Sequence, residues 1–348
     1  MLPLRTTLLL VPALALAVLP SLPTTVKWSV AVSAPTDSPA IGSDQIFVTL
    51  QSGVVAAHRL SDGGEVWHVE LRADHPLALE GARVFVSAGD AVHALEAATG
   101  VVAWVAPTGT VAAPLLAQDG WLIVASSTGS LTAYRASDGQ KMWTRDLGAQ
   151  HTRPSIEGDT LYVPLDDGRL HALDLQSGAD RWTRHLPGAP SEVLAFSDRI
   201  YVGAAKQFYC LDAGDGENEW YARIGALLRG RPAAEGTRIF VTSIDNMLRA
   251  YDRNSGALVW HQSVPFRPFA PVVIDSAVVV PGNSADLLAF DVTSGRAAGQ
   301  IKLPEILVMR PAFGTSGGGP VMAAFTGSLN SAWKLVLTAP APPAAPPE

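Results

Sequence analysis

The chain has 348 residues, 48% of them hydrophobic and 16% charged, with a net charge of −7 at neutral pH. That size and apolar fraction support a large folded core. There is no basic run, which argues against nucleic acid as a partner, and the single cysteine, Cys210, rules out an intrachain disulfide.

In chain order, the first element is a targeting segment. Arg5 precedes an apolar run from Thr7 to Leu19 that Pro12 interrupts and Pro20 ends. A positive start followed by a short apolar core describes a secretory signal, whereas a spanning helix needs about 20 apolar residues. Residues 1–23 are expected to be a signal peptide, with Ala15-Leu16-Ala17 as a cleavage site; an uncleaved N-terminal anchor is the alternative. No cysteine follows the run, so lipoprotein attachment is not expected. The protein is read as exported, periplasmic or envelope-associated, and not an obvious lipoprotein.

Next comes Val26-Lys27-Trp28-Ser29-Val30, a short strand carrying the first of seven spaced tryptophans: Trp28, Trp67, Trp104, Trp143, Trp182, Trp220 and Trp260, at intervals of 37 to 40 residues. A period near forty with β-type residues signals a radial array of small sheets. From Trp67 onward, a glycine stands four residues before each tryptophan (Gly63, Gly100, Gly139, Gly178, Gly216, Gly256) and a small residue ten before (Ala57, Ala94, Ala133, Ala172, Cys210, Ala250). The glycine supplies a turn conformation that side chains resist. The indole is expected to lie over the glycine backbone and the small side chain, serving as a structural docking group. A seventh copy keeps Ala289 and Gly295 but has Gly299 in the tryptophan position.

Units usually open on a proline (Pro39, Pro76, Pro114, Pro154, Pro232, Pro271, Pro311), where a strand loses no ladder donor. An apolar strand such as Thr160-Leu161-Tyr162-Val163 follows, then a tight turn such as Asp166-Asp167-Gly168, then an alternating strand such as Leu170-His171-Ala172-Leu173. The unit is a four-stranded antiparallel blade with the tryptophan on its last strand. The fold class is therefore all-β, an eight-bladed β-propeller. The eighth blade starts at Pro311, and its register places Ser331 in the small-residue position. Its fourth strand is missing at that end and present at the other, so the strand around Trp28 should close the ring. Closure removes open edges, and a monomer is expected. The propeller is assigned to residues 24–338 and a disordered Pro/Ala-rich tail to 339–348.

The pattern Ala-x-Asp-x-x-x-Gly-x-x-x-Trp, at Ala172-Asp174-Gly178-Trp182 and Ala250-Asp252-Gly256-Trp260, resembles the tryptophan-docking repeat of pyrroloquinoline-quinone (PQQ)-like propellers. Two branches of that superfamily matter. Quinoprotein dehydrogenases carry a vicinal disulfide and bind Ca²⁺ beside the quinone; one cysteine excludes that pair, and Asp166, Asp167 and Asp245 fall in blade turns where solvated acids are ordinary. His58, His93 and His171 flank the small-residue position on equivalent strands, so register explains them better than metal ligation. The other branch is the BamB-type propeller subunit of the outer-membrane β-barrel assembly machinery, similar in length and without cofactor equipment. Ala226-Leu227-Leu228-Arg229-Gly230 resembles the Leu-Arg-Gly loop with which that subunit touches its barrel partner. The resemblance implies Leu228 and Arg229 as partner-binding residues and Leu227 as a third; the alternative is that both leucines plug the gap between blades.

Independently of any family, arginine precedes the strand-opening proline at Arg153-Pro154, Arg231-Pro232 and Arg310-Pro311, and Arg267-Pro268 lies near the same place in another unit. These four are expected to rim one mouth of the channel, as a cationic collar for an acidic loop, a peptide or a small anion. The alternative is that each guanidinium ties down carbonyls of its own loop. The function expected is a non-catalytic, cofactor-free exported scaffold that binds protein, with outer-membrane protein assembly as its setting. Membrane association is expected only through the partner or an uncleaved signal. A PQQ-dependent dehydrogenase and a ligand-sensing propeller are the alternatives.

Overall fold

The computed structural model describes residues 24–264, 267–327 and 332–340, and it is all strand and loop among those residues. Eight four-stranded antiparallel sheets follow one another along the chain. Blade 1 comprises Ala40–Ile41, Gln45–Leu50, Val54–Arg59 and Glu65–Glu70. Blade 4 repeats it as Ser155–Glu157, Thr160–Pro164, Arg169–Asp174 and Asp180–His185. The short first strands of neighbouring blades approach one another around the axis, so they line the channel and the tryptophan strands form the rim. The core is divided among the interfaces. Residues 113–147 of blade 3 pack against 156–175 of blade 4, and the same arrangement recurs around the ring.

The small-residue position has a clear steric cause. In blade 1, Ala57 pairs with Phe47 of the second strand on one side and with Trp67 of the fourth on the other. The two rings meet over the methyl group, with centroids 5.8 Å apart. Phe85–Trp104, Tyr162–Trp182, Tyr201–Trp220 and Phe240–Trp260 repeat the contact at 5.7–6.1 Å. Such ring pairs contribute about 0.5–1.5 kcal/mol beyond their burial. Cys210 takes the alanine place between Tyr201 and Trp220 and is fully buried.

The glycine partner differs from expectation. Each indole covers the glycine of the following blade, not the one four residues before it. Trp67 lies on Gly100, Trp143 on Gly178 and Trp260 on Gly295, and a Cβ built at any of the seven glycines would fall 2.5–2.8 Å from the ring. The indole N–H then donates to a carbonyl of that same turn, as from Trp67 to Ala97 and from Trp143 to Leu175, both at 2.8 Å. The residue ahead of each tryptophan is a β-bulge: Val66 is skipped between the Ala57–Trp67 and His58–Glu65 pairs. A bulge bends and twists its strand, which turns the indole toward the neighbouring blade.

Ring closure matches expectation. Thr24–Val32 pairs antiparallel with Trp333–Pro340, from Thr24↔Pro340 to Val32↔Trp333, with its bulge at Lys27. Trp28 docks on Gly63 of blade 1 and donates to Leu60 at 2.9 Å. The register of the eighth blade differs, however. Ser331 lies outside the described residues, and the small-residue position, opposite Trp28, is held by Leu337. On its other side Leu337 faces Ala323, where most other blades have an aromatic ring. Large and small have exchanged strands, which conserves volume. The last strand ends at Pro340, so Ala339 and Pro340 belong to the sheet and not to the tail; the expected signal (1–23) and residues 341–348 lie outside the described residues.

The exchange at Gly299 also has a reason. An indole there would need the turn between the third and fourth strands of blade 8, but those strands come from opposite ends of the chain and no turn joins them. A cavity of about 340 Å³ stands at that seam, lined by Ile274, Ala298, Ile301, Phe313, Val321 and Met322.

Two glycines separate the ring contact from backbone preference. Gly158 (φ +59°) has no atom within 4 Å of an added Cβ, whereas Gly178 (φ +69°) has the Trp143 ring at 2.8 Å. Gly158→Ala should lower stability by about 1 kcal/mol, the left-handed backbone cost alone. Gly178→Ala adds overpacking and should cost about 2–4 kcal/mol. Urea denaturation midpoints measure both, and equal shifts would refute docking of the indole on the next blade's glycine.

Candidate partner-binding face

The meander places two kinds of loop on one face of the disk: those leading from a fourth strand into the next blade, and those joining second to third strands. The indole-docking turns lie on the opposite face. The loop after Asn218–Arg223 shows how the first kind is built. Arg229 N–H donates to Thr242 O at 2.8 Å and Ile244 N–H to Leu227 O at 2.9 Å, so the loop adds a short bridge to the second strand of blade 6. Gly230 (φ +70°) leaves only 2.9 Å between an added Cβ and Ala270, which holds the loop against the next one.

This geometry separates the three residues implied by resemblance. Leu227 points outward at 52% exposure, beside Ile244 at 50%, and Arg229 is exposed next to them. Leu228 turns inward, onto the core shared by blades 5 and 6, with its Cδ1 where a Cβ on Gly203 would be 2.6 Å away. Its side chain is a plug between blades. A sequence signal for that role existed: Pro35, Val111 and Leu307 make the same isolated bridge three or four residues before the strand-opening proline, and all three are buried. Ile244 was missed by sequence reasoning because it follows a strand and resembles no motif. Ile306, at 52% exposure, is the counterpart of Leu227 in the loop entering blade 8.

Three of the four predicted rim arginines come together in the channel. Arg153, Glu192, Arg310 and Asp37 line a cavity of about 440 Å³, ringed by Pro39, Pro76, Pro114 and Pro311. Arg231 reaches across blade 5 to donate to Ser155 Oγ, the inner strand of blade 4, at 3.1 Å. The Nε atoms of Arg153 and Arg231 are buried without a hydrogen-bond partner. Burial holds both guanidinium groups below the ordinary arginine value; Glu192 opposes this, while Arg310 acts in the same direction as burial. Burial raises the Asp37 carboxyl, against the Ser38 N–H, His75 and Arg153.

Arg267 is a correction to the collar. It lies three residues ahead of the register position, which Ala270 occupies before Pro271, and it is exposed with a left-handed backbone (φ 54°). Its N–H donates to Asn246 Oδ1 at 3.2 Å, so the loop runs over blade 6 before it turns inward.

Two overlapping segments, residues 51–197 and 188–306, match the family described as outer membrane protein assembly factor BamB. No curated protein sequence matches. Among solved structures, BamB from Moraxella catarrhalis superposes with a TM-score of 0.72 at 18% identity, covering 90% of this chain and 97% of that one. A europium-containing methanol dehydrogenase gives 0.74 at 12% identity, covering 91% and 93%. The quinohemoprotein alcohol dehydrogenase from Comamonas testosteroni gives 0.71 at 13%, covering 94% and 78%. At such identities these likenesses carry the fold alone, which enzymes and BamB share. The family match is the more specific finding, since it extends through most of the repeats, and by it this eight-bladed propeller belongs to the BamB outer-membrane assembly factor family.

Proposed function

We propose that the protein is a non-catalytic, exported binding scaffold that acts in outer-membrane protein assembly, and that it engages a protein partner through the face carrying Leu227, Arg229 and Ile244. The observation that carries this reading is the exposed Leu227–Ile244 pair. Two large aliphatic side chains stand in solvent on a segment fixed by two backbone hydrogen bonds, with an arginine beside them. Apolar side chains on a rigid loop cost little entropy to bury, and arginine at the edge supplies direction, which is how a small interface centre is built. Family membership supplies the setting. The barrel-assembly protein, which the Leu-Arg-Gly resemblance indicates, is the partner to test.

The dehydrogenase-like fold supports an enzyme reading less well. Ca²⁺ wants six to eight oxygen donors, and the channel carboxylates Asp37 and Glu192 face guanidinium groups instead. The vicinal disulfide has no counterpart, since Cys210 is alone and lies on a third strand, away from the channel lining. Burial, reinforced by Glu219, pushes its thiol up to about 12.

Two measurements test this reading. In titrations with the purified periplasmic domains of the barrel-assembly protein from the same genome, Leu227→Asp and Arg229→Glu should each weaken binding about tenfold or more, equivalent to about 1.4 kcal/mol. Their melting temperatures should stay at the wild-type value, whereas Leu228→Ala should lose about 2 kcal/mol of stability. Wild-type affinity in both exposed-residue variants would refute the assignment of this face. Separately, Cys210 should resist Ellman's reagent in the native protein and react fully in urea; a fast native reaction would reopen a redox role.

A further inference from the structure

We propose that the mouth of the central channel is a carboxylate-binding site built from Arg153, Arg231 and Arg310. The ligand group is a carboxylate, carried by an acidic side chain of a polypeptide or by a small free dicarboxylate.

Charge is the first argument. Arg153 and Arg310 line the cavity with Glu192 and Asp37. Arg231 lies beside it, near enough to interact with Glu192, Arg153 and Arg310, so among the described residues three guanidinium groups meet two carboxylates. Among the described residues none of the three arginines is held in a direct ion pair, although the chain elsewhere pairs arginines readily, as in Arg181 with Asp159 and Asp174 at 2.8 Å. The cluster therefore keeps a positive excess inside a protein whose net charge is −7. Such an excess is a local construction, because a charge withdrawn from water without a partner is costly.

Hydrogen bonding is the second argument. If these arginines served only to tie down loops, their donors would be spent on carbonyls. Instead, among the described residues one hydrogen bond holds the trio, from Arg231 to Ser155 Oγ, and the buried Nε donors of Arg153 and Arg231 meet no acceptor. Guanidinium forks are matched to carboxylates, where two parallel N–H donors meet two oxygens. Proline follows each arginine in sequence, at Pro154, Pro232 and Pro311, and restricts the backbone there, which lowers the cost of ordering the forks when a carboxylate arrives.

Size and access are the third. A cavity of about 440 Å³ lies within the range of small-ligand sites and opens on the face that carries Leu227 and Ile244. It would admit a short acidic segment from a bound polypeptide or a free dicarboxylate. Isolated carboxylates would bind the site whatever the identity of the protein partner.

The test is calorimetric titration of the full-length protein at low ionic strength with two probes, succinate and a tetraglutamate peptide. The wild type should bind at least one with a heat that Arg153→Gln and Arg231→Gln each reduce at least tenfold in affinity. Arg72→Gln, an exposed arginine on the same face outside the channel, should leave the affinity unchanged. Binding of the peptide alone identifies a polypeptide carboxylate as the ligand, and comparable binding of succinate identifies a small free one; either supports the site. Without ligand, the two channel variants should melt no lower than the wild type, because each removes a buried like charge. Absence of binding by both probes, binding that survives both substitutions, or a marked fall in the melting temperature of the unliganded variants would overturn the proposal.

Discussion

The contact on which the ring depends is an indole laid flat on the backbone of the next blade. Its requirements account for most of the repeat. A side chain at the contacted position would collide with the ring, so the position is glycine, and its positive φ makes glycine the natural occupant anyway. The indole N–H needs a buried acceptor and finds a carbonyl in the same turn, at 2.8–3.3 Å around the ring. The back of the indole needs room within its own blade, which an alanine methyl provides and a larger residue would not. The bulge ahead of each tryptophan sets the angle. One contact thus constrains four positions per repeat, in two different blades.

Because the contact points forward, from each blade to the next, it has a defined end. Blade 8 is assembled from both ends of the chain and lacks the turn on which an indole from blade 7 would rest. Gly299 stands there instead, and the seam is left with an apolar cavity. The other side of blade 8 is closed normally, by Trp28 on Gly63. The two seams of the closure blade are therefore unequal: one is docked by an indole, and the other is held by side-chain packing such as Leu287, Ile301 and Leu307 against Met322. The exchange of Ala323 and Leu337 belongs to the same adjustment, since it keeps the blade filled after the repeat consensus has lapsed.

The sequence made the architecture legible because the tryptophan, glycine and alanine positions are set by sterics and tolerate little else. It also made the closing strand legible, as Trp28 precedes any complete blade. What it hid has physical causes. A linear repeat does not say whether a glycine serves the tryptophan four residues on or the one in the preceding blade; both spacings are fixed by the same period. Counting the repeat forward from Pro311 lands on Ser331, because the period carries no sign that the last blade exchanges its large and small positions; Leu337 takes the place because its partner Ala323 is small. The inward turn of Leu228 follows from its equivalence to Val111 and Leu307, a register that the local Leu-Arg-Gly pattern does not carry. Arg267 precedes a proline that does not open a strand, a distinction that the Arg-Pro pair alone does not show.

The two faces of the disk have different chemical freedom, and this explains where function can reside. On the docking face, the turns use their own polar residues. Asp174 accepts from Arg181 and from the N–H and hydroxyl of Ser177, and Asp252 and Asp291 accept likewise from Ser255 and Ser294, which holds all three carboxyls below the usual range. Acidic residues are thereby spent locally, where they neutralise little beyond their own turn. The opposite face carries no docking requirement. Its loops need only a plug such as Leu228 and a proline at the strand entry, so the residues between are unconstrained by the ring. Leu227, Arg229 and the channel arginines occupy those unconstrained places. Apolar exposure and unpaired positive charge both work against folding, and a fold held so firmly at its other face can carry them there.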